Sequence, residues 1–457
     1  MHSSTALPLA GSFRDPAGFV FVEEGAYKRV VAQAGHADYQ RFMGSGLYAE
    51  LAAARLIVPH VEEARGVETL ILVPEQIPFI SYPYEWCFSQ LRDAALLTLD
   101  IQLHSLRRGM SLKDASAFNV QFRGARPVFI DTLSFEANAG GPWPAYDQFC
   151  RHFLAPLALM ATRWDSFNQF LSASPEGLPL AMVSRLLPAR TWFQPGLLMH
   201  IHLHARAQNN AAQGQPASTR TTPDRKAALA ESLRSAIESL RPPRRSTAWS
   251  GYYEERSHYT PASEQFRREY VARTLLNARP ELVFDLGANR GDYSRLTAEL
   301  GFRCVAFEMD AACAETAYLE ARRSAADLVL PLRMDLRNPS PGLGFHSRER
   351  MALHDRPRAS MLLALAIIHH LRITGLAPFA LISEYFAALG DHLLLEFVPK
   401  DDPMTALMLA HRTDIFDDFT LDGLRQAFHP LWELASVEPI PESPRTLCLF
   451  QLRSPAR

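Results

Sequence analysis

Cysteine is scarce in this 457-residue sequence, and long apolar runs are missing from it. The five cysteines stand apart, without the CxxC spacing of a zinc site or the density of a disulfide framework, so we expect neither. The longest apolar run, Met361–Ile368, is far shorter than the roughly 20 residues that cross a bilayer, so we expect no membrane span. The first residues lack the pattern of a secretory signal. These absences favour a cytoplasmic protein.

An excess of charge is also absent. The sequence has 47 basic and 49 acidic residues, a formal net charge of −2. It therefore offers no general attraction to nucleic acid, and we do not expect a nucleic-acid partner. Hydrophobic residues make up 47% and charged residues 21%, as in ordinary globular proteins, and the length predicts two or three domains.

A polar stretch divides the chain. Residues 208–223 are small and polar and bury too little surface to order themselves, so they are typical of a linker. We predict an N-terminal domain at 1–205, a linker at 206–225 and a C-terminal domain at 226–457.

The C-terminal part alternates strand and helix patterns. Continuous apolar strands with helices between them predict a doubly wound, Rossmann-like α/β sheet of seven strands, the last one antiparallel. The predicted strands lie at 281–286, 304–307, 328–334, 361–368, 392–398, 432–440 and 446–452.

Acidic residues and a glycine-rich turn follow the first three of these strands. Asp285 begins the turn that contains Gly287 and Gly291, Glu308 ends the second strand, and Asp335 follows the third. Ligands of open α/β sheets bind at this edge, where a carboxylate can accept both ribose hydroxyls of a nucleoside. The pattern predicts a nucleoside-containing cofactor.

From about residue 245 onward this pattern resembles the class I S-adenosylmethionine-dependent methyltransferases. Their acid-x-Gly-x-Gly-x-Gly motif has Asn289 in place of the middle glycine, and asparagine tolerates positive φ. The resemblance implies S-adenosylmethionine as cofactor. The residues it implies for cofactor binding are Asp285, Gly287, Asn289, Gly291, Glu308, Asp310, Asp335 and Leu336.

A nicotinamide dinucleotide is the main alternative cofactor. That class expects Gly-x-Gly-x-x-Gly, with glycines close to the pyrophosphate. Positions 289 and 292 carry no glycine, which favours the sulfonium cofactor.

Methyl transfer is an in-line displacement that needs alignment and, for some acceptors, a base. His369 and His370 follow the fourth strand and are the candidate catalytic residues; the alternative is that one of them only packs at the strand end. Tyr252, Tyr253 and Tyr259 either line the acceptor pocket or pack on the sheet. The acceptor stays open among small molecules, glycans and proteins.

The N-terminal half predicts a mixed α+β domain with a second constellation. Asp114, Asn119 and Asp131 have the spacing that protein-kinase-like enzymes use to orient a hydroxyl and hold Mg²⁺. Thr132 and Leu133, not Phe-Gly, follow Asp131, so the resemblance is to a degenerate kinase-like domain. A bifunctional kinase-like methyltransferase and a non-catalytic scaffold are the alternative functions.

The pattern predicts a hairpin at 18–31, helices at 39–56 and 88–106, and strands at 69–72 and 78–82.

The full layout is similar to the nodulation protein NoeA-related methyltransferases of bacteria. The segments that carry this similarity are 111–122, 129–136, 338–341 and 396–402. The resemblance implies methyltransferase activity without naming an acceptor.

Overall fold

A computed structural model describes residues 7–65, 69–211, 222–242, 259–324, 327–410 and 412–453. The chain divides into two compact units, Met1–Arg244 with Gly342–Arg350, and Arg245–Pro341 with Met351–Arg457. Within the described ranges, no helix combines the length and apolar character of a membrane span.

The first unit contains a four-stranded antiparallel sheet in the order β1-β2-β4-β3 and two small hairpins, β5 with β8 and β6 with β7. The β1–β2 hairpin confirms the predicted strand pair, and its turn places Glu24 and Gly25 at positive φ. The strands are β1 (Gly18–Glu23), β2 (Ala26–Val31), β3 (His60–Arg65), β4 (Thr69–Pro74), β5 (Met110–Leu112), β6 (Val120–Arg123), β7 (Arg126–Phe129) and β8 (Phe135–Ala137).

The strand predicted at 78–82 is wrong, because two of its backbone amides form hydrogen bonds with side chains and not with a neighbouring strand. The Ser81 amide donates to Gln121 Oε1 at 2.9 Å, and the Tyr82 amide donates to Glu85 Oε2 at 3.0 Å. The sheet instead gains β3, which pairs with β4. The helix predicted at 39–56 is two helices, separated at Gly46 with φ of +76°.

Helices make up the rest of the first unit. They are α1 (Gln33–Gly44), α2 (Leu47–Ala53), α3 (Phe88–Arg107), α4 (Tyr146–Phe149), α5 (Ala155–Thr162), α6 (Leu180–Leu186), α7 (Pro195–Leu197), α8 (His204–Ala211) and α9 (Pro223–Ser239). The first unit includes α9, which packs on α3, whereas we predicted a C-terminal domain from 226. Leu233 and Ile237 of α9 are fully buried, and an apolar helix face does not itself specify which domain will cover it.

The second unit contains the seven-stranded sheet. Its strands are β9 (Leu282–Leu286), β10 (Arg303–Glu308), β11 (Val329–Arg333), β12 (Ala359–Ala364), β13 (Gly390–Phe397), β14 (Trp432–Pro439) and β15 (Thr446–Leu452). Its helices are α10 (Pro261–Ala278), α11 (Asp292–Glu299), α12 (Ala311–Arg323), α13 (Phe379–Leu389), α14 (Pro403–Leu409) and α15 (Leu421–Phe428).

The strand order is β11-β10-β9-β12-β13-β15-β14, which confirms the predicted seven strands. Strands β9 to β13 are parallel, and the last strand, β15, is antiparallel to both of its neighbours. The last two strands pair as predicted, although β15 lies inside the sheet and only β14 lies at the edge.

The core beneath the site is apolar and closely packed. Val283 of β9, Leu394 of β13 and Leu447 of β15 are fully buried together with Val271 and Leu275 of α10. Removing these side chains from water stabilises the unit at roughly 25 cal/mol per Å² of apolar surface. This core fixes the strands, so that the carboxyl ends of β9 to β12 meet at one edge.

Candidate functional site

A cavity of about 630 Å³ lies at the carboxyl ends of β9, β10, β11 and β12. This volume is typical of a site for a small molecule or cofactor. Most of the predicted site residues surround it, since the parallel order places successive strand ends side by side. Those in its walls are Asp285, Gly287, Asn289, Glu308, Asp335, Leu336 and His370.

The turn after β9 adopts left-handed backbone at three alternating positions. The φ angles are +78° at Gly287, +50° at Asn289 and +79° at Gly291. Asn289, which replaces the middle glycine of the motif, thus adopts the left-handed conformation that the turn requires at this position. A Cβ at Gly287 would lie 2.9 Å from Ile367 Cδ1, the end of a flexible side chain, so the positive φ rather than this contact favours glycine here.

The conformation of Asn289 gives a first prediction. Replacing Asn289 by valine is expected to destabilise the second unit by about 1–2 kcal/mol, because a β-branched residue is strained at positive φ. Replacing it by glycine is expected to change stability by about 0.5 kcal/mol or less. Urea unfolding of both variants measures the difference, and equal midpoints would contradict the left-handed assignment.

Asp285 is buried at the end of β9, 3% exposed. Ser294 of α11 donates its hydroxyl to Asp285 Oδ2 at 2.6 Å. Burial raises the pKa of Asp285 to about 6, although hydrogen bonds from Ser294 oppose the rise. The carboxyl group is therefore held in place by α11 and gains most from a cationic or hydrogen-bond-donating ligand.

Glu308 ends β10 and connects two turns. Its Oε2 accepts from the Asn289 amide at 2.7 Å, and its Oε1 accepts from the Asp310 amide at 2.7 Å. Burial raises the pKa of Glu308 to about 7, against the effect of these amides. Each oxygen keeps a second lone pair, so the carboxylate can still accept two hydroxyl groups from the cavity.

Asp335 is about one third exposed and forms an ion pair within the cavity wall. Arg337 Nη2 donates to Asp335 Oδ2 at 2.8 Å, and Arg337 Nε donates to Oδ1 at 3.0 Å. Burial alone would raise the pKa of Asp335, but the hydrogen bonds from Arg337 outweigh it and lower the pKa. The sequence reasoning missed Arg337, which shares this end of the cavity with the predicted acid.

Gly291 and Asp310, which we also predicted to bind cofactor, lie outside the cavity walls. Gly291 precedes α11 as its N-cap residue. Asp310 Oδ1 accepts from the Ala312 and Cys313 amides, both at 2.9 Å, and so caps α12. The geometry gives Asp310 a structural role, because an N-cap carboxylate satisfies the free amides of a helix start.

The two histidines after β12 have different positions. His370 lines the cavity, whereas His369 is 3% exposed and lies outside the walls. Burial lowers the pKa of His370 to about 4, with a further contribution from Arg337. Burial also lowers the pKa of His369 well below its ordinary value. Both imidazoles are neutral at pH 7, and only His370 is placed to meet a ligand.

Aromatic and basic residues from α10, its approach and α11 complete the cavity. Tyr259, Arg267 and Tyr293 line it, and the Arg267 guanidinium carbon lies 4.1 Å from the centre of the Tyr259 ring. Of the three predicted tyrosines, Tyr259 lines the cavity, while Tyr252 and Tyr253 lie outside the described residues. No pattern singled out Arg267, which is one of three arginines in α10.

A buried polar network lies behind this wall. Glu396 of β13 is fully buried and accepts from Arg267 Nη2 at 2.6 Å and from the Tyr259 hydroxyl at 2.6 Å. Arg445 pairs with Glu396 at 3.3 Å and with Asp402 at 2.7 Å, and it also bonds to Tyr259. Burial alone would raise the pKa of Glu396, but the charges of Arg267 and Arg445 outweigh it and lower the pKa. The network therefore holds the approach to α10 against β13.

Lys400 follows β13 in the sequence. It pairs with Asp414 at 2.7 Å and does not line the cavity.

Asp114, Asn119 and Asp131 of the first unit lie close to one another. Asn119 Nδ2 donates to Ser134 Oγ at 3.2 Å, and Ser134 Oγ donates to Asp131 Oδ2 at 2.7 Å. Arg29 pairs with Asp131, and the Ser116 amide donates to Asp114 Oδ1 at 2.9 Å. The described residues contain no cluster of histidine, cysteine and acidic side chains fit for a metal ion. Arg29, the Ser134 hydroxyl and the Leu133 amide thus all contact the Asp131 carboxylate.

Comparison with known proteins finds a relative that matches both units and solved structures that match part of the chain. No family model matches. The chain resembles in part the solved magnesium protoporphyrin IX methyltransferase of Synechocystis PCC 6803 with bound S-adenosylhomocysteine (19% identity, TM-score 0.32, 42% of this chain and 84% of that one). It also resembles the N-methyltransferase NodS of Bradyrhizobium japonicum WM9 in complex with the same molecule (10% identity, TM-score 0.33, 44% and 92%).

Nodulation protein NoeA of Rhizobium meliloti strain 1021 is 33% identical to this chain over 460 residues. The match covers 97% of this chain and 96% of that protein, so it includes both units. This chain belongs to the family of nodulation protein NoeA.

Proposed function

We propose that the second unit is an S-adenosylmethionine-dependent methyltransferase. One observation carries this proposal: a single cavity collects Asp285, Glu308 and Asp335 from three neighbouring strand ends, beside a turn with left-handed backbone. Hydroxyl and amine groups of a nucleoside with a cationic amino-acid tail match that row of carboxylates.

Two polar atoms in the cavity walls support the binding of such a cofactor. Asn289 Oδ1 and Arg267 Nε are buried and have no hydrogen-bond partner within the described part of the chain. Both residues line the cavity, one at the turn and one on α10. A buried donor or acceptor without a partner is costly, so a ligand that offers an acceptor near Arg267 and a donor near Asn289 gains affinity there.

Each residue has a role in this proposal. Glu308 holds the ribose hydroxyls, Asp335 and Leu336 border the base, and Asp285 faces the amino-acid part. S-adenosylmethionine supplies the electrophilic methyl group when bound. His370 is neutral at pH 7, so one ring nitrogen can accept a hydrogen bond from the acceptor and orient it. With a pKa of about 4 it is a weak base, and alignment is the main contribution expected of the site.

The dinucleotide alternative fits the same cavity less well. A pyrophosphate binds at the N-terminus of the helix that follows the first strand. Here that helix, α11, begins with Asp292, which lines the cavity and forms an ion pair with Arg295. A carboxylate at this helix start is less suited to a pyrophosphate than to the cationic end of the sulfonium cofactor.

The affinity for S-adenosylhomocysteine is expected to depend on pH. Burial raises the pKa of Glu308 to about 7 and that of Asp285 to about 6, and the ionised carboxylate is the better acceptor for ribose hydroxyls. If binding requires ionised Glu308, affinity falls by about tenfold from pH 8 to pH 6. Calorimetric titration at half-unit pH intervals measures this change.

The variant Glu308→Gln provides the control for this pH profile. It retains a hydrogen-bonding side chain but loses the titrating group. Its affinity for S-adenosylhomocysteine should be weaker than that of the unchanged protein but should vary little between pH 8 and pH 6. A profile as steep as that of the unchanged protein would assign the pH dependence to another group.

Turnover is tested with labelled S-adenosylmethionine, a cell extract as acceptor source and identification of the labelled product. The acceptor is a small molecule, a glycan or a protein in this proposal. Cofactor binding without label transfer to any fraction would instead support the non-catalytic scaffold.

A further inference from the structure

The cavity has two halves with different chemistry. The proposed cofactor residues lie at the carboxyl ends of β9, β10 and β11, and a second set of wall residues comes from the chain after β12 and from α14, which follows β13. Residues of α10, of its approach and of the first turn of α11 form the rest of the wall. In the strand order β11-β10-β9-β12-β13, the first set belongs to β11, β10 and β9, and the second set belongs to β12 and β13. If the first half holds the cofactor, as proposed above, the second half faces the methyl acceptor.

The second half is dominated by apolar side chains. Only His370 and Thr374 contribute polar side chains in the two segments that form it. Its apolar members are Leu365, Ala366, Ile367, Leu371, Met404, Leu407 and Met408. The first half, by contrast, contains a carboxylate at each of three strand ends.

Helix α14 presents this apolar wall from a fixed position. Asp402 accepts from the Met404 amide at 2.9 Å and so caps the helix. Arg445 donates to both Asp402 oxygens, at 2.7 and 3.1 Å, and both side chains are about 1% exposed. The wall is thus tied to the buried network and is not a free loop.

Leu407 is 61% exposed although it lines the cavity. Met404 and Met408, one turn before it and one residue after it, are partly buried. Methionine side chains adapt to varied apolar shapes, and an exposed leucine beside them leaves apolar surface for a ligand to cover. A bare oligosaccharide would instead place hydroxyl groups against side chains that offer them no hydrogen bonds.

We propose that α14 and the chain after β12 bind an apolar portion of the methyl acceptor, such as an alkyl, acyl or aromatic group. This inference rests on the proposed function and specifies its substrate class. The acceptor then spans the site, with its nucleophile near His370 and its apolar part along Met404 and Leu407.

The test uses the full chain and the uncharged fluorescent probe N-phenyl-1-naphthylamine. The variant Leu407→Asp places a charge in the wall, and Leu381→Asp is its matched control, because Leu381 of α13 is 55% exposed and lies outside the cavity walls. We expect about tenfold weaker probe binding for Leu407→Asp and no change for Leu381→Asp. Affinity for S-adenosylhomocysteine should be unchanged in both variants.

Equal probe affinity in the unchanged protein and Leu407→Asp would overturn the inference, as would an equal loss in both variants. Titrations with and without S-adenosylhomocysteine separate the two proposals. If S-adenosylhomocysteine does not bind, the proposed function fails, while the probe difference still decides whether the wall accepts apolar ligands.

Discussion

Replacing Glu308 by alanine is expected to weaken S-adenosylhomocysteine binding by about 100-fold. In the proposed function the Glu308 carboxylate accepts two ribose hydroxyls, and a hydrogen bond to a charged group contributes roughly 1.5–3 kcal/mol. A loss of about 3 kcal/mol corresponds to rather more than a factor of 100 in Kd. Calorimetric titration at pH 8 measures the change where Glu308 is ionised, since burial raises its pKa to about 7.

The Asn289 and Asp310 amides lose their acceptor in this variant, and water in the cavity can replace it. We therefore expect the second unit to stay folded by circular dichroism, with a melting temperature a few degrees lower. Glu433→Ala, at an exposed position on β14, is the control and should bind normally. Affinity within about threefold of the unchanged protein for Glu308→Ala would remove Glu308 from the site.

Replacing Arg445 by methionine is expected to destabilise the second unit by about 3–5 kcal/mol. Arg445 is 1% exposed and pairs with Glu396 and Asp402, which are equally buried. Methionine fills much of the space but leaves Asp402 without its main cationic partner in a region of low polarity. For a unit of this size the change corresponds to a fall of roughly 6–20 °C in melting temperature.

An exposed ion pair supplies the control for this prediction. Arg358 pairs with Asp391 at 2.8 Å, but both side chains are largely exposed, so Arg358→Met should cost about 1 kcal/mol or less. Differential scanning calorimetry compares the two variants. Similar melting temperatures for both would show that the buried network contributes little to stability.

The sequence predicted which acidic strand ends meet at the cavity, because the signals for them are local. Asp285 and Glu308 each end a short apolar strand, and parallel strands bring such ends to one edge. Asn289 could be placed in the turn from its tolerance of positive φ, and its φ is +50°. Strand lengths were less predictable: β12 ends at Ala364, before the apolar run does, because Ala366 turns at positive φ.

The network behind the cavity was not predictable in this way. Tyr259 meets Glu396, which is 137 residues away, and Arg445 meets Tyr259 across 186 residues. No periodicity or spacing marks such partners, because they are set by tertiary packing. The helix-capping contacts of Asp310 were not predictable either, since an acid after a strand serves equally well as a helix cap or a ligand. His369 and His370 are neighbours in sequence, and only packing decided which one reaches the cavity.

The central claim is that this cavity binds the methyl-donor cofactor, and calorimetric titration of the full chain with S-adenosylhomocysteine at pH 8 tests it most directly. The account predicts saturable binding of about one molecule per chain, with a Kd in the micromolar range. No saturable heat at millimolar ligand would contradict it, whatever the variants show.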